Sequence, residues 1–366
     1  MRILIGNIFD SKAKTLVNTV NCVGVMGKGI AAEFKKRYPR MFDEYAEKCK
    51  NSEIKPGKPF YYCDSVGNSI LNFPTKEHWR SPSKLSYIID GLDWFVNNYK
   101  NLEIDSIAFP PLGCGNGGLP WKVVGPIMYN KLKDLPIKIE IYAPYGTNPD
   151  YLKIDFLERT YNNKEVLGES FKRIRKEWYL LLHVVEELNN TRYSLHVGRT
   201  IFQKICFVMT RMGLNTEFKF IKGNYGPYCP EIKKAMTILS NSNLIQEQCY
   251  GKMIEIKVTD TFKFNQAMFS KRDLSIANAT IDLFSRIKDI EQAEVITTVL
   301  FAYDSVVKNM NNQKPMDYIV YDFVMDWKKH WTSVKSEEVC DAIQNLTALN
   351  LMDVAYSGKV KYNFEI

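Results

Sequence analysis

Cysteine pairs at the spacing of a metal or redox site are missing. The eight cysteines stand at 22, 49, 63, 114, 206, 229, 249 and 340, and none forms C-x-x-C. This removes the zinc and dithiol signatures. Long apolar runs are missing too. No stretch approaches the ~20 apolar residues of a membrane span. The first apolar run, Ile3-Leu4-Ile5, is too short for a signal peptide core. These absences point to a reduced, cytoplasmic protein, with no metal, no cofactor and no membrane partner. A strong charge of one sign is also absent. The net charge is +8. Residues 1–150 hold 20 Lys and Arg against 15 Asp and Glu, and residues 151–366 hold 29 against 26. That balance permits a phosphate or nucleic-acid partner without demanding one.

What is present divides in two. At 366 residues with 45% apolar content, two domains are expected. Arg2–Ile5, Thr15–Val20, Asp105–Phe109 and Lys138–Ala143 read as strands. Lys58–Tyr62 and Ser69–Phe73 read as a β pair around the turn Val66-Gly67-Asn68. Helices are expected from Gly29, from the Ser81-Pro82-Ser83 start through Leu85, Ile88, Leu92, Phe95 and Tyr99, and around Val123–Leu132. Alternation of this kind predicts a three-layer α/β/α domain over residues 1–158. A polar linker is expected at Asn162–Ser170. A mostly α second domain with small winged-helix-like β-hairpins is expected over 171–366. It contains an internal echo at a distance of 107 residues: Ala235, Leu239, Asn243, Leu244, Gly251 and Lys252 align with Ala342, Leu346, Asn350, Leu351, Gly358 and Lys359.

Two glycine-rich loops organise the first domain. Pro110 to Leu119 leaves a strand, carries four glycines in six positions and leads into a helix. Glycine lets backbone approach a ligand, and amides at a helix start favour an anion. There is no Lys-Ser/Thr of a P-loop, and the glycine spacing of a dinucleotide fold is absent. Val17 to Ile30 is the second such loop. Two loops at the carboxyl ends of strands can flank one crevice. Asn18 and Asn21 there suit either sugar hydroxyls or turn caps.

Gly6-Asn7-Ile8, Val17-Asn18-Thr19-Val20-Asn21, Met26-Gly27-Lys28-Gly29-Ile30-Ala31 and Pro111-Leu112-Gly113-Cys114-Gly115 resemble, in order and spacing, the binding loops of macrodomains, which bind ADP-ribose. The resemblance covers about residues 1–150. It implies that Asn7 meets the adenine amino group and Asn21 the distal ribose. Gly27, Gly29, Gly113, Cys114, Gly115, Asn116, Gly117 and Gly118 would surround the pyrophosphate, with Ile8, Asn18, Ile30, Thr75 and Leu112 completing the ADP-ribose site.

Asn72-Phe73-Pro74-Thr75-Lys76-Glu77-His78-Trp79-Arg80 narrows the branch. It is similar to the Thr-Lys segment of macrodomains that cleave terminal ADP-ribose, and especially to the DarG family. Those antitoxins remove ADP-ribose from thymidine bases in DNA. The resemblance implies that Lys76 is catalytic. A human relative of the branch carries an aspartate where this chain has Gly117, so the weight falls on Lys76 alone. Lysine can stabilise charge on the departing base, or attack the ribose C1″ after ring opening. Both routes stay open. His78 and Trp79 are candidates to stack on a splayed base, and Arg80, Lys28, Lys35, Lys36 and Arg37 to lie near phosphates of single-stranded DNA. For Trp79 a core or edge position, and for 35–37 a solvated helix face, are the alternatives.

From Leu180 onward no catalytic cluster stands out, and His183, His196 and His330 are isolated. Phe220 to Ile232 resembles the Tyr-Gly-Pro-x-x-Pro-Glu segment of SocA-like (Panacea) antitoxin domains. That implies binding of the cognate toxin DarT through residues 171–366. Tyr225 and Tyr228 read either as interface anchors or as part of a turn capping a helix at Glu231. The expected function is an antitoxin that is also a DNA ADP-ribosyl glycohydrolase. The alternative is a non-enzymatic ADP-ribose reader or a purely toxin-sequestering protein.

Overall fold

The computed structural model describes residues 1–65, 67–158, 174–191, 195–250, 253–310 and 313–360. The expected linker at 162–170 lies outside them. Two compact units divide the chain: Met1–Arg173 with Lys233–Asn243, and Ile174–Ile232 with Leu244–Ile366.

The first unit is built on a six-stranded sheet of order β1-β6-β5-β2-β4-β3. Its strands are β1 Arg2–Leu4, β2 Thr15–Val20, β3 Phe60–Cys63, β4 Ser69–Pro74, β5 Ser106–Phe109 and β6 Lys138–Tyr142. All pairs are parallel except the β3–β4 hairpin. Parallel strands buried on both faces read as continuous apolar runs, and every residue of β4 and β5 is buried. Successive side chains still take opposite faces. Leu71 and Phe73 join one core with helices α3 (Leu85–Asn98) and α4 (Trp121–Leu132). Ile70 joins the other, with α1 (Gly29–Arg37) and α2 (Pro39–Lys50). The result is the expected α/β/α sandwich. Gly91 lets α3 lie against the sheet, since a Cβ there would meet the Phe73 ring at 2.3 Å.

Two boundaries differ from the expectation. Helix α2 was not foreseen, because its buried stripe of Met41, Tyr45 and Cys49 is narrow in a polar segment, with proline at the helix start. Helix α3 starts at Leu85 rather than at Ser81. Ser83 N–H is drawn off to the Gly117 carbonyl at 2.9 Å. Asn241, in the part of this unit contributed by residues 233–243, caps the helix instead. Its Oδ1 accepts from Leu85 N–H at 2.8 Å and its Nδ2 donates to Ser83 O at 3.1 Å.

The second unit is mostly helical. Helices Lys176–Asn190, Arg199–Arg211, Lys271–Ser285, Ile290–Asn309, Asp317–Trp327 and Ser333–Ala348 carry buried aliphatic stripes. Two hairpins accompany them, β7 Ile221–Gly223 with β8 Gly226–Tyr228, and β9 Ile245–Tyr250 with β10 Met253–Val258. The 107-residue echo is visible in part. Glu231–Asn241 and Ser333–Ala348 are both helices. They are followed by Asn243 and Asn350 in the same left-handed turn, at φ 54° and 55°. A strand pair, β9 with β10, follows the first copy. After the second, the described residues hold a single bridge, Met316 to Ala355.

Candidate functional site

The loops leaving β1, β2, β4 and β5 gather at the carboxyl edge of the sheet, where parallel α/β folds place ligands. After β1, Asn7 Oδ1 caps a short 3-10 turn by accepting from Phe9 N–H at 3.2 Å, and Ile8 is buried beneath it. After β2, Asn21 shapes its own loop. Its Oδ1 accepts from Val23 N–H at 2.9 Å, its Nδ2 donates to Val25 O at 2.5 Å, and Tyr45 OH donates to its carbonyl at 2.7 Å. Of the two readings of Asn21, the turn-forming one is therefore met within the chain.

Asn18 sits lower, wholly buried in β2 opposite Asn72 of β4. Asn18 Nδ2 donates to Asn72 Oδ1 at 2.9 Å. The remaining amide atoms, Asn18 Oδ1 and Asn72 Nδ2, have no hydrogen-bond partner among the described residues. Unpaired buried amides are costly. Asn72 went unselected in the sequence, although its register partner was chosen.

The β2 loop ends in α1. Lys28 stands at the N-cap without a side-chain cap, and Gly29 begins the helix at φ 60°. The first-turn amides thus have no side-chain cap. A Cβ on Gly29 would meet Asn116 Nδ2 at 3.3 Å, so the two glycine loops meet at this point. Gly27 is exposed, and Ile30 packs partly into the core below.

In the loop after β5, Gly113 and Gly118 adopt φ 70° and 80°. Leu119 N–H returns to Gly113 O at 3.0 Å and folds the loop back on itself. Leu112 is a core residue. Gly117 is packed tightest, since a Cβ would meet Ser83 Oγ at 2.2 Å and Gly113 O at 2.3 Å. An aspartate has no room there, which gives the departure at this position a steric cause. Gly115 is the opposite, with nothing within 4 Å of a built Cβ.

The β4 loop supplies the cation. Thr75 N–H donates to Val20 O at 3.0 Å, and Cys22 N–H to Glu77 O at 2.9 Å. These bonds extend the β2–β4 ladder and fix the segment between them. Lys76 Nζ reaches across to donate to Asn116 O at 2.7 Å. The next side chain turns away, with Tyr87 OH donating to Glu77 Oε1 at 2.5 Å. Burial first, then Glu77, pushes the Tyr87 phenol above its ordinary range. Glu77 is thus a carboxylate beside Lys76 in sequence that another residue holds. Sequence reading passed over it.

His78, Trp79 and Arg80 form an outer cluster. The His78 and Trp79 rings lie 5.5 Å apart, and the Arg80 guanidinium sits 4.5 Å over the indole. Trp79 is 43% exposed, which removes the core position and leaves the edge one. Burial pushes Cys22 and Cys114 up to about 12, leaving no thiolate nucleophile near neutral pH. Among the described residues no group of three or more His, Cys, Asp or Glu is placed to hold a metal ion. No helix among them is long and apolar enough to cross a membrane.

A mixed six-stranded sheet between helix layers, with glycine loops at its carboxyl edge, defines the class: the first unit of the chain is a macrodomain, and residues 17–128 match the family model for the Macro domain. More particularly, over 232 residues the chain is 36% identical to a DNA ADP-ribosyl glycohydrolase of Mycobacterium tuberculosis, covering 62% of this chain and 64% of that one. It spans 64% of the length of that curated relative. Over 157 residues it is 41% identical to a DNA ADP-ribosyl transferase-DNA ADP-ribosyl glycohydrolase fusion protein of Thermosipho africanus, covering 38% of this chain and 40% of that one. Among solved structures, the macrodomain of Mycobacterium tuberculosis DarG is 47% identical at a TM-score of 0.38, covering 39% of this chain and 97% of that one.

Proposed function

We propose that the chain is an antitoxin whose macrodomain removes ADP-ribose from thymidine bases of single-stranded DNA, and whose residues 171–366 bind and neutralise the cognate toxin DarT. The observation that carries the enzymatic part is the bridge from Lys76 Nζ to Asn116 O at 2.7 Å. It sets an ammonium group on the loop proposed to cradle the pyrophosphate. ADP-ribose bound by Asn7, Asn21, the first turn of α1 and the 112–118 loop would bring its distal ribose to that group.

Hydrolysis breaks the bond between C1″ and the base nitrogen. Water supplies hydroxyl to C1″ and a proton to the base. Charge develops on the leaving base as the bond stretches, and a fixed cation stabilises it. Lys76 serves in that role once a ligand displaces the Asn116 carbonyl. The exposed Trp79–Arg80 pair suits stacking and phosphate contact with the flanking strand. Support for the toxin partner comes from the Thermosipho africanus relative, whose name joins a transferase and a glycohydrolase in one chain.

The test is incubation of the full chain with ADP-ribosylated single-stranded DNA, following free ADP-ribose and the unmodified oligonucleotide by mass spectrometry. Release of both supports the reading. Binding of ADP-ribose without release leaves a non-enzymatic reader, and no binding by calorimetry at millimolar ligand removes the site as well.

A further inference from the structure

Ser83 lies in the coil between β4 and α3 and is wholly buried. Buried backbone groups need partners, and neither a helix nor a strand ladder supplies them here. The Ser83 N–H donates to the Gly117 carbonyl at 2.9 Å. The Ser83 carbonyl accepts from Asn241 Nδ2 at 3.1 Å, while Asn241 Oδ1 accepts from Leu85 N–H at 2.8 Å. One side-chain amide therefore clamps the chain on both sides of Lys84. Residues Lys233–Asn243 come from the far half of the sequence and are part of the first unit. Ile238 packs against the core that holds Leu112 and Leu119. Thr237 lies against the glycine loop itself, its Oγ1 3.0 Å from where a Cβ on Gly118 would stand.

What the clamp holds is the loop after β5. Two successive carbonyls of that loop are gripped, Asn116 O by Lys76 Nζ at 2.7 Å and Gly117 O by the Ser83 N–H. The two grips differ. Under the mechanism proposed above, the first opens when Lys76 turns to a ligand. The second is sealed from water and stays closed. The Ser83 hydroxyl adds nothing to it, since Oγ is buried without a hydrogen-bond partner among the described residues. The backbone bond from Ser83 carries the hold, and it is as firm as the position of Ser83, which Asn241 sets. Loop amides already in place bind an anion more tightly than amides that must first be ordered.

We propose that Asn241 and Thr237 are positioning residues for ADP-ribose, holding the 113–118 loop in its binding shape through Ser83 and Gly118. The ADP-ribose site of this chain thus includes a segment that lies beyond residues 1–158. The inference rests on the reading of the 113–118 loop as the pyrophosphate cradle, and it adds the residues that keep that cradle in place.

The test is calorimetry of free ADP-ribose with three full-chain variants, alongside thermal unfolding. Asn241→Asp keeps an oxygen for the Leu85 N–H, and aspartate caps a helix as well as asparagine does. It loses the donor to Ser83 O. Affinity falls about tenfold, as for one lost hydrogen bond to a buried group, with the melting temperature within about 2 °C of wild type. Asn241→Ala loses both bonds, binds as weakly and melts about 2–4 °C lower. Thr237→Leu leaves the Asn241 bonds in place and presses on Gly118, weakening binding about fivefold. A residue that only caps α3 predicts instead that Asn241→Asp binds like wild type. Asn241→Asp within about twofold of wild-type affinity overturns the positioning role of Asn241, and Thr237→Leu within the same range overturns that of Thr237. No binding by the wild type overturns the ADP-ribose reading and the positioning role with it.

Discussion

In the first unit, Lys76 Nζ donates to the carbonyl of Asn116 in a glycine loop. In the second, Lys328 and Lys204 donate to the carbonyls of Asn224 and Tyr225 in a glycine-bearing turn. The contact is the same and the surroundings are not. Lys76 is half-buried at a crevice whose Gly115 faces open space. Lys204 and Lys328 are sealed in the core. An accessible ammonium can exchange a carbonyl for a ligand at little cost, whereas a sealed one cannot leave without stranding buried polar groups. One geometry therefore serves the proposed chemistry at the surface and architecture inside.

Breaking the buried contact has the largest effect on stability. Lys328→Ala strands its partners, the Glu294 carboxylate and the Asn224 carbonyl, and is expected to cost about 3–5 kcal/mol in urea unfolding. Lys76→Ala, by contrast, stays within about 0.5 kcal/mol. Equal losses in the two variants would erase the distinction.

The glycines sharpen it further. Gly117→Asp pushes a Cβ into Gly113 O and Ser83 Oγ, 2.3 and 2.2 Å away. It should cost about 1–3 kcal/mol and abolish ADP-ribose binding. Gly115→Ala meets nothing within 4 Å and should leave the melting temperature nearly unchanged.

A pH dependence tests the buried side of the comparison. Burial, opposed by Glu294 and aided by Lys328, holds the Lys204 ammonium down from its ordinary 10.5 to about 7. Between those values the unfolded chain binds the extra proton. Lys204 therefore makes stability rise as pH climbs from about 7 toward 10, by at most about 1.4 kcal/mol per unit. Lys204→Met should flatten that slope in urea titrations from pH 6.5 to 9. An unchanged slope would mean that Lys204 keeps its proton.

Much of the loop framework of the candidate site could be read in advance because it is local. The strand–glycine–helix units around Gly27 and Gly113, and the Thr75-Lys76 segment, are contiguous signals, and the α/β/α alternation follows from periodicity. What escaped depends on distant partners. Asn241 caps α3 from 156 residues away along the chain. The pairing of Glu77 with Tyr87 decides where a neighbouring carboxylate points. Asn72 matters through its register with Asn18. Lys204 and Lys328 look like ordinary helix-surface lysines in the sequence, since nothing near them announces a buried carbonyl. Gly117 was legible as a departure from the related pattern, but its cause lies in the close approach of Ser83 and Gly113.

The most direct measurement is single-turnover release of ADP-ribose from modified single-stranded DNA by wild type and Lys76→Ala, alongside calorimetry with free ADP-ribose. An electrostatic or covalent role for Lys76 predicts that the variant is slower by about 100-fold or more while its ADP-ribose affinity changes little. Lys76→Arg keeps the charge and forms no Schiff base, so substantial activity there assigns the electrostatic route. A Lys76→Ala variant that releases ADP-ribose at the wild-type rate would contradict the assignment of the chemistry to Lys76.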